Sequence, residues 1–182
     1  MNHCENISWQ DALERLKQGN KRYAKSGEFS GDVSETIRQD KADNGQRPFA
    51  IVVACADSRV IPEAIFACGI GDLFVIRVAG NVVGAHELAS VEYAHEHLGV
   101  NLALVIGHTK CGAVGAAIHG DTEGRVGTLT RDIREAIGSE KGERVASKIN
   151  ADFQAEKLKK AFQNLVTVSA VYDIASGKVD FE

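Results

Sequence analysis

The chain has 182 residues, of which 44% are apolar and 25% are charged, a composition typical of a globular protein with one domain. A net charge of −4, with lysines and arginines scattered along the chain, argues against nucleic-acid binding. The sequence contains no apolar run of membrane-spanning length and no signal-peptide pattern, so we expect a cytoplasmic protein that does not bind membranes. In that reducing compartment, the four cysteines are expected to be metal ligands or buried thiols instead of disulfides.

The first predicted element is a helix that begins at Ser8, an acceptable N-cap with an acidic residue three positions later. Apolar residues then recur at helical spacing from Trp9 to Tyr23. This stripe fits a helix packed on its own domain and equally an arm laid on a second subunit, and the pattern leaves both open. A polar stretch follows, with a short helix predicted around residues 33–42.

Strand and helix patterns then alternate. Strands are predicted at 49–54, 73–78 and 102–106, and helices from Pro62 until Gly69, at 86–98 and at 113–118. This order is typical of parallel βαβ units with right-handed crossovers. We therefore predict an α/β fold with a central, mostly parallel β-sheet of four to five strands flanked by helices and preceded by an N-terminal helical arm.

The last third of the chain gives a weaker pattern. Residues 129–137 and 143–164 are predicted to be helical, and residues 165–175 form the final predicted strand. In 143–164 the apolar stripe changes register, since Val145, Ile149 and Phe153 define one stripe and the residues from Leu158 define another. A kink or two separate helices are therefore expected in this region.

The domain organisation follows from the absence of any internal repeat, low-complexity tract or linker pattern in the sequence. We expect a single domain over residues 1–182. Within it, residues 1–45 form the N-terminal helical arm and residues 46–182 form the α/β core.

Two loops that follow predicted strands carry the residues suited to chemistry. Cys55 follows the first strand, and His108 and Cys111 follow the third. Because ligands bind beyond the carboxyl ends of parallel strands, these side chains are expected to converge. Two thiolates and an imidazole suit Zn²⁺, and three protein ligands leave a fourth coordination position open, as in a catalytic zinc site. The sequence therefore predicts zinc on these three residues.

Other interpretations of the same loops explain less. Cys111 as a nucleophile with His108 as its base leaves Cys55 without a role. The glycines of residues 107–112 are not followed by the Lys-Ser or Lys-Thr pair that a phosphate loop requires. Cys68 lies in an apolar stretch and is interpreted as an inert buried thiol.

Several motifs together resemble a known family, the β-class carbonic anhydrases. The similarity covers nearly the whole chain, and its motifs occur in the order found in that family. They are the N-terminal helix at 12–23, Gln46 to Phe49, Cys55-Ala56-Asp57-Ser58-Arg59-Val60, the stretch 71–81, residues 90–94, the loop 107–114 and the closing strand and turn at 171–179.

This resemblance implies zinc on Cys55, His108 and Cys111, with water or hydroxide in the fourth position. It also implies a dyad beside the metal, in which Arg59 keeps Asp57 ionised through a charge-assisted pair. Asp57 would then orient the zinc-bound hydroxide toward CO₂. The implied reaction is the reversible hydration of CO₂ to bicarbonate and a proton.

The resemblance also implies a substrate cleft and an oligomer. Gln46, Phe74, Tyr93 and the Gly112 amide match positions that line a small apolar cleft, although core packing is the alternative for the two aromatic residues. Gln46 also matches the members with an open metal site, so we expect Asp57 away from zinc at neutral to alkaline pH. The family's cleft lies at a dimer interface, which implies a homodimer or a dimer of dimers.

Two other functions remain open at the level of sequence. A related zinc hydrolase acting on carbon disulfide or carbonyl sulfide would use the same metal chemistry. A non-catalytic zinc or thiol protein would use the metal only to tie strands together. The Asp57–Arg59 pair argues against this last interpretation, because a structural metal site needs neither residue.

Overall fold

A computed structural model describes residues 7–28, 30–121 and 123–181 of the chain. The α-helices in these segments are α1 (Trp9–Ser26), α2 (Glu35–Asn44), α3 (Pro62–Ile65), α4 (Ala85–Glu92), α5 (Gly112–His119), α6 (Val126–Ile137) and α7 (Glu143–Ala161). The strands are β1 (Ala50–Ala54), β2 (Leu73–Arg77), β3 (Leu102–His108), β4 (Val166–Tyr172) and β5 (Val179–Phe181). A 3₁₀ turn at Ala79–Asn81 follows β2, and a π-helical turn at Tyr93–His97 continues α4.

The strands form one sheet in the order β2-β1-β3-β4-β5. Strand β1 pairs in parallel with β2 and β3, β3 pairs in parallel with β4, and β5 pairs with β4 in the antiparallel direction. The central strands β1 and β3 are buried along their whole length, as parallel strands covered on both faces must be. The structure thus confirms the predicted α/β fold with a mostly parallel sheet.

The two faces of the sheet pack against different helices because side chains alternate along each strand. In β1, Val52 belongs to an apolar cluster with Leu16 of α1. Its neighbour Val53 belongs to a second cluster that includes Val91 of α4 and Leu158 of α7. Helices α1 and α7 therefore lie on opposite sides of the same central strand.

Helix α1 begins and packs as its sequence predicts. The Ser8 hydroxyl accepts a hydrogen bond from the Asp11 backbone N–H at 3.1 Å, which satisfies one of the free donors at the helix start. Ala12 and Leu16 are buried. Gly19 lies directly against the end of α3, since a Cβ at that position would stand 1.9 Å from the carbonyl oxygen of Phe66, the residue that caps α3. The inner face of α1 thus packs on its own chain.

Helix α7 differs from its prediction in two respects. It is one continuous helix, so the expected kink or division was wrong. Its buried face is also not the apolar stripe that the sequence indicated, because Val145 is 49% exposed and Ile149 and Phe153 are only half-buried. The buried residues at helical spacing are instead mainly small or polar: Ala146, Ser147, Asn150, Ala151, Gln154, Ala155 and Leu158. The apparent change of register disappears once polar residues are counted as buried.

Smaller differences concern the ends of elements. Helix α3 ends at Ile65, earlier than the predicted limit at Gly69, so Cys68 lies in the following turn. The final predicted strand ends at Tyr172, because the Asp173 side chain accepts hydrogen bonds from Ser176 and starts a turn. Among the helices that the structure describes, none combines the length and the apolar character needed to cross a membrane.

Candidate metal centre

The carboxyl ends of β1 and β3 form the candidate site. The two strands are parallel neighbours, so the loops that follow them open at the same edge of the sheet. Cys55 directly follows β1, His108 ends β3, and Cys111 is the N-cap of α5. The Cys Sγ and His ring nitrogen atoms lie within 4.8 Å of one another, and all three residues are buried. The structure thus brings together the three predicted ligands.

The Cys55 sulfur is surrounded by hydrogen-bond donors. The backbone N–H groups of Gly80 and Asp57 point to its Sγ at N···S distances of 3.3 and 3.4 Å. Hydrogen bonding from Cys111 is the main cause that lowers the pKa of the Cys55 thiol to about 4, and the two amides contribute further. These donors outweigh the burial of the group, which opposes ionisation. The surroundings of the Cys55 sulfur therefore favour the thiolate over the thiol.

The pKa of the Cys111 thiol is shifted in the opposite direction from that of Cys55. Its hydrogen bond to Cys55, its burial and the negative charge on Cys55 all raise the pKa of the Cys111 thiol. The backbone N–H groups of Ala113 and Val114, in the first turn of α5, partly oppose this shift. Two buried sulfurs this close to each other disfavour a second thiolate, and a bound cation would favour the ionised form of both.

The His108 ring is held by the backbone of the next residue, Thr109. Its Nδ1 lies 2.9 Å from the Thr109 carbonyl oxygen, which can only accept, so Nδ1 must carry the proton. Thr109 is itself fixed, because its N–H donates to the Tyr172 carbonyl at 2.9 Å and its hydroxyl accepts from the Ile174 N–H at 3.1 Å. The buried Nε2 is left with a lone pair and no hydrogen-bond partner among the described residues.

These observations fit a bound metal ion. An unpartnered imidazole nitrogen in a buried site is costly unless something accepts its lone pair. Beside it are the two cysteine sulfurs, and together the three atoms offer the soft and borderline donors that suit Zn²⁺. The carbonyl bond to Nδ1 is the outer contact that orients a metal-binding histidine.

Asp57 and Arg59 form an ion pair next to this cluster. The Asp57 Oδ1 accepts from the backbone N–H and the Nε of Arg59, both at 2.9 Å, and its Oδ2 accepts from Nη2 at 2.7 Å. Hydrogen bonding from the Arg59 side chain is the largest cause that holds the pKa of Asp57 well below its usual range. The same Nη2 donates to the Lys110 carbonyl at 3.1 Å, which joins the two ligand-bearing loops.

A second arginine supports the loop after β1. Arg77 lies opposite Ala54 in the pairing of β2 with β1, so its side chain reaches the residues just beyond that strand. Its Nε donates to the Cys55 carbonyl at 3.1 Å, and its Nη2 donates to the Asp57 carbonyl at 2.6 Å. One planar guanidinium thus holds the carbonyl groups of both residues that flank Ala56.

The residues predicted to line the cleft are near the surface. The Phe74 and Tyr93 rings are 6.2 Å apart, and Tyr93 also contacts His97, with ring centres separated by 5.3 Å. Tyr93 is 48% exposed, which argues against core packing as its role. Gln46 is exposed just before β1, and Gly112 is exposed as the first residue of α5.

Some supporting residues were not predicted from the sequence. Arg77 and Thr109 were given no role, although each is adjacent to a predicted site in the chain or in the sheet register. Asn150 and Gln154 of α7 were overlooked because their helix was assigned a different buried face. The available signal was the spacing of these two polar residues, which are four positions apart on a helix that must cover the sheet.

Comparison with known proteins gives a consistent result. Residues 50–179 match the family model described as carbonic anhydrase. Carbonic anhydrase 2 of Mycobacterium tuberculosis is 42% identical over 127 residues, which cover 69% of this chain and 61% of that protein. A carbonic anhydrase of Helicobacter pylori is 40% identical over 107 residues, covering 52% and 48%. The chain thus spans less than two thirds of the length of these relatives.

Solved structures extend the similarity over almost the whole chain. The β-carbonic anhydrase CcaA matches with a TM-score of 0.69 and 26% identity, covering 94% of this chain and 92% of that one. The Coccomyxa β-carbonic anhydrase in complex with acetazolamide has a TM-score of 0.72 at 24% identity, covering 96% and 86%. The second match, at this identity, is evidence for the fold alone.

Proposed function

This chain belongs to the β-class carbonic anhydrases, and on that premise we propose that it catalyses the reversible hydration of CO₂ to bicarbonate and a proton. The observation that carries the proposal is the convergence of Cys55, His108 and Cys111 beside the Asp57–Arg59 ion pair. A structural metal site would need neither Asp57 nor Arg59, and it would normally have a fourth protein ligand. The ion pair places an ionised carboxylate next to the position where a substrate would react.

Cys55, His108 and Cys111 are the residues that would hold Zn²⁺ in this proposal. A zinc ion bound there supplies a Lewis acid that makes water acidic enough to lose a proton near neutral pH. The cysteines also lie in an apolar cluster with Val114 of α5 and Ile133 of α6, which shields the ligands from bulk solvent. Because thiolate ligands must stay reduced, we place the protein in a reducing compartment such as the cytoplasm.

Asp57 is the proposed orienting residue. Its lowered pKa keeps the carboxylate ionised over the whole physiological range, so it can accept a hydrogen bond but not donate one. A water or hydroxide nucleophile that donates its proton to Asp57 must direct a lone pair elsewhere, toward the carbon of CO₂. Arg59 holds the carboxylate in place through two side-chain hydrogen bonds and one backbone hydrogen bond.

The same ion pair supports an open metal site. Both Asp57 oxygens accept hydrogen bonds from Arg59, so moving the carboxylate onto the metal would break them. We therefore expect the zinc-loaded protein to keep the fourth position free of Asp57 at neutral to alkaline pH. A crystal structure at pH 8 with an Asp57 oxygen at about 2.0–2.2 Å from zinc would contradict this expectation.

Exposed aromatic and apolar residues support the proposed cleft and dimer. Gln46, Phe74, Tyr93 and the Gly112 amide remain the proposed substrate contacts, with Phe74 on the sheet-edge strand β2. Tyr93 is among the most exposed large apolar residues of the described chain. Trp9 of the proposed arm, residues 1–45, is 37% exposed while the opposite face of α1 is buried. Two β-carbonic anhydrases of Sordaria macrospora are tetrameric, consistent with a homodimer or a dimer of dimers here.

The decisive experiment combines CO₂ hydration with metal analysis on one sample. Stopped-flow measurement should show hydration that requires about one zinc per chain. Asp57→Asn should retain zinc and lose most of the activity, because the amide can donate a hydrogen bond where the carboxylate can only accept. Glu63→Gln, which removes a carboxylate from α3 outside the proposed site, is the matched control and should leave the rate unchanged.

Each alternative function has its own outcome in this experiment. Protein that binds zinc but hydrates no CO₂ would contradict the proposal and favour a non-catalytic metal site. If the same sample hydrolysed carbon disulfide or carbonyl sulfide instead, a related zinc hydrolase would be indicated. Full activity in Asp57→Asn would remove the ion pair from the mechanism while leaving the metal centre intact.

A further inference from the structure

Helix α7 buries two carboxamide side chains under the sheet edge that carries the candidate site. Asn150 and Gln154 are both 0% exposed, and they lie four positions apart on the same face of the helix. Burying two carboxamides in a protein core is unfavourable unless their donors and acceptors are paired. Their hydrogen-bond partners therefore show what the polar face of this helix is for.

The partners form a continuous chain that ends at a metal ligand. Gln154 Oε1 accepts from the Val83 N–H at 2.9 Å, and Gln154 Nε2 donates to Asn150 Oδ1 at 3.2 Å. Asn150 Nδ2 then donates to the Gly80 carbonyl at 2.8 Å. The Gly80 N–H donates in turn to Cys55 Sγ at 3.3 Å. Two side chains of α7 thus fix both ends of segment 80–83.

The orientation of both carboxamides is determined by the backbone groups at the two ends. The Gly80 carbonyl needs a donor, so Asn150 must present its NH₂ group there and its oxygen to Gln154. The Val83 N–H needs an acceptor, so Gln154 must present its oxygen there and its NH₂ group to Asn150. No other assignment pairs all four groups. The chain of hydrogen bonds therefore has a single arrangement.

Gly80 is a position where the backbone has to be held. Its φ of 72° lies in the left-handed region, and the next residue, Asn81, also has a positive φ of 46°. A Cβ on Gly80 would stand 2.6 Å from Ile133 Cδ1 and 3.1 Å from Ala113 Cβ. The backbone of Gly80 is thus pressed against α5 and α6 in an uncommon conformation. Asn150 supplies the hydrogen bond on its carbonyl side.

We propose that Asn150 and Gln154 are positioning residues of the metal centre, which hold the backbone of Gly80 so that its N–H points at the Cys55 sulfur. The inference rests on the proposed function only in taking Cys55 as a metal ligand. The hydrogen bonds of these two residues within the described chain go to each other, to Gly80 and to Val83, and not to the ligands themselves. They act through segment 80–83, which Lys157 also holds by donating to the Val83 carbonyl at 3.2 Å.

If the Gly80 N–H no longer points at Cys55, the Cys55 thiolate should become a stronger electron donor and should be held less firmly in position. An N–H donor withdraws electron density from a sulfur ligand and limits its movement. Residues in this outer layer typically change metal affinity by about 10- to 100-fold when they are mutated. If the carboxamides only satisfied each other's hydrogen bonds, mutating them would lower the stability of the fold but leave the affinity and the sulfur ligation of the metal unchanged.

Cobalt(II) distinguishes these two roles, because its thiolate charge-transfer bands report directly on the sulfur ligands. In Asn150→Leu, which keeps a similar volume without the donor, we expect these bands to move to longer wavelength than in the wild type. We also expect Zn²⁺ affinity, measured by competition with a chromophoric chelator, to fall by about tenfold. Gln154→Met should produce a smaller change in the same direction.

The matched control is Leu158→Ala, one turn further along the same buried face of α7. It removes apolar packing without breaking any hydrogen bond to segment 80–83. It should lower the melting temperature and leave the cobalt spectrum and the zinc affinity at wild-type values. Wild-type spectrum and affinity in Asn150→Leu, or an equal spectral change in the control, would overturn the inference.

A measurement on the wild type covers the case in which a variant fails to fold. In ¹¹³Cd-loaded protein, the Gly80 amide proton should show scalar coupling to the metal across its hydrogen bond to Cys55. Absence of this coupling would overturn the inference without any mutation, whereas its presence in the wild type and a weaker coupling in Gln154→Met would support it. Wild-type protein that bound no Co²⁺, Zn²⁺ or Cd²⁺ would instead overturn the proposed metal centre.

Discussion

Cys55 and Cys68 are buried to nearly the same degree, at 4% and 2% exposure, but their thiols are shifted in opposite directions. The pKa of Cys55 is lowered to about 4, chiefly by hydrogen bonding from Cys111. The pKa of Cys68 is raised to about 12, chiefly by burial and then by the negative charge of Asp72. Burial alone therefore does not determine whether a thiol becomes a ligand.

The difference lies in what each sulfur contacts. Cys55 Sγ accepts hydrogen bonds from two backbone N–H groups, which favour the thiolate. Cys68 Sγ instead donates to the Phe66 carbonyl at 3.3 Å, a bond that exists only while the thiol keeps its proton. One site is thus built around a charged sulfur and the other around a neutral one.

The largest expected effect comes from removing a ligand. Cys111→Ala should weaken zinc binding by more than about 100-fold, beyond the range seen for residues that only support ligands. Cys68→Ala should bind zinc as the wild type does, because Cys68 lies outside the cluster. Chelator competition on both variants measures the contrast. A Cys111→Ala variant that binds zinc as tightly as the wild type would show that Cys111, like Cys68, is not a zinc ligand.

A smaller effect is expected when the support of the Cys55 loop is weakened. Arg77→Lys keeps the charge but loses the fork that joins the Cys55 and Asp57 carbonyls. We expect kcat/KM for CO₂ hydration to fall by about tenfold. Arg15→Lys is the matched control near Cys68, where Arg15 pairs with Asp72 at 2.8 Å. Equal rates in the two variants would contradict a special role for Arg77.

The last expected effect concerns the stability of the fold and appears only at alkaline pH. Because folding raises the pKa of Cys68 from 9.0 to about 12, its contribution is fully present below pH 9 and is lost as pH rises toward 12. The wild type should therefore lose up to about 1.4 kcal/mol of unfolding free energy per pH unit above 9, relative to Cys68→Ala. Urea unfolding of both proteins at pH 8, 9, 10 and 11 measures the difference. Parallel pH profiles would show that Cys68 ionises equally in both states.

Helices α1 and α7 show where sequence patterns succeed and where they fail. The buried face of α1 includes Ala12 and Leu16, which apolar spacing identified, and it extends to Gly19 and Asn20, which that spacing did not indicate. The buried face of α7 contains Ser147, Asn150 and Gln154, which a hydrophobicity pattern assigns to solvent. Gly107 of β3 explains part of this choice, because a Cβ there would stand 2.8 Å from the Ser147 carbonyl. The helix lies too close to the sheet for large side chains at that point.

The sequence by itself determined the parallel sheet and the set of candidate ligands. Both depend on short-range information. Apolar runs indicate the buried strands, and Cys55, His108 and Cys111 occur at or just after the ends of two of these strands. The tertiary structure decided how those ligands are held. Asn150 and Gly80 are 70 positions apart along the chain, and nothing in either local sequence indicates that they meet. Their hydrogen bond exists because α7 packs across the sheet edge, and only the folded chain brings that about.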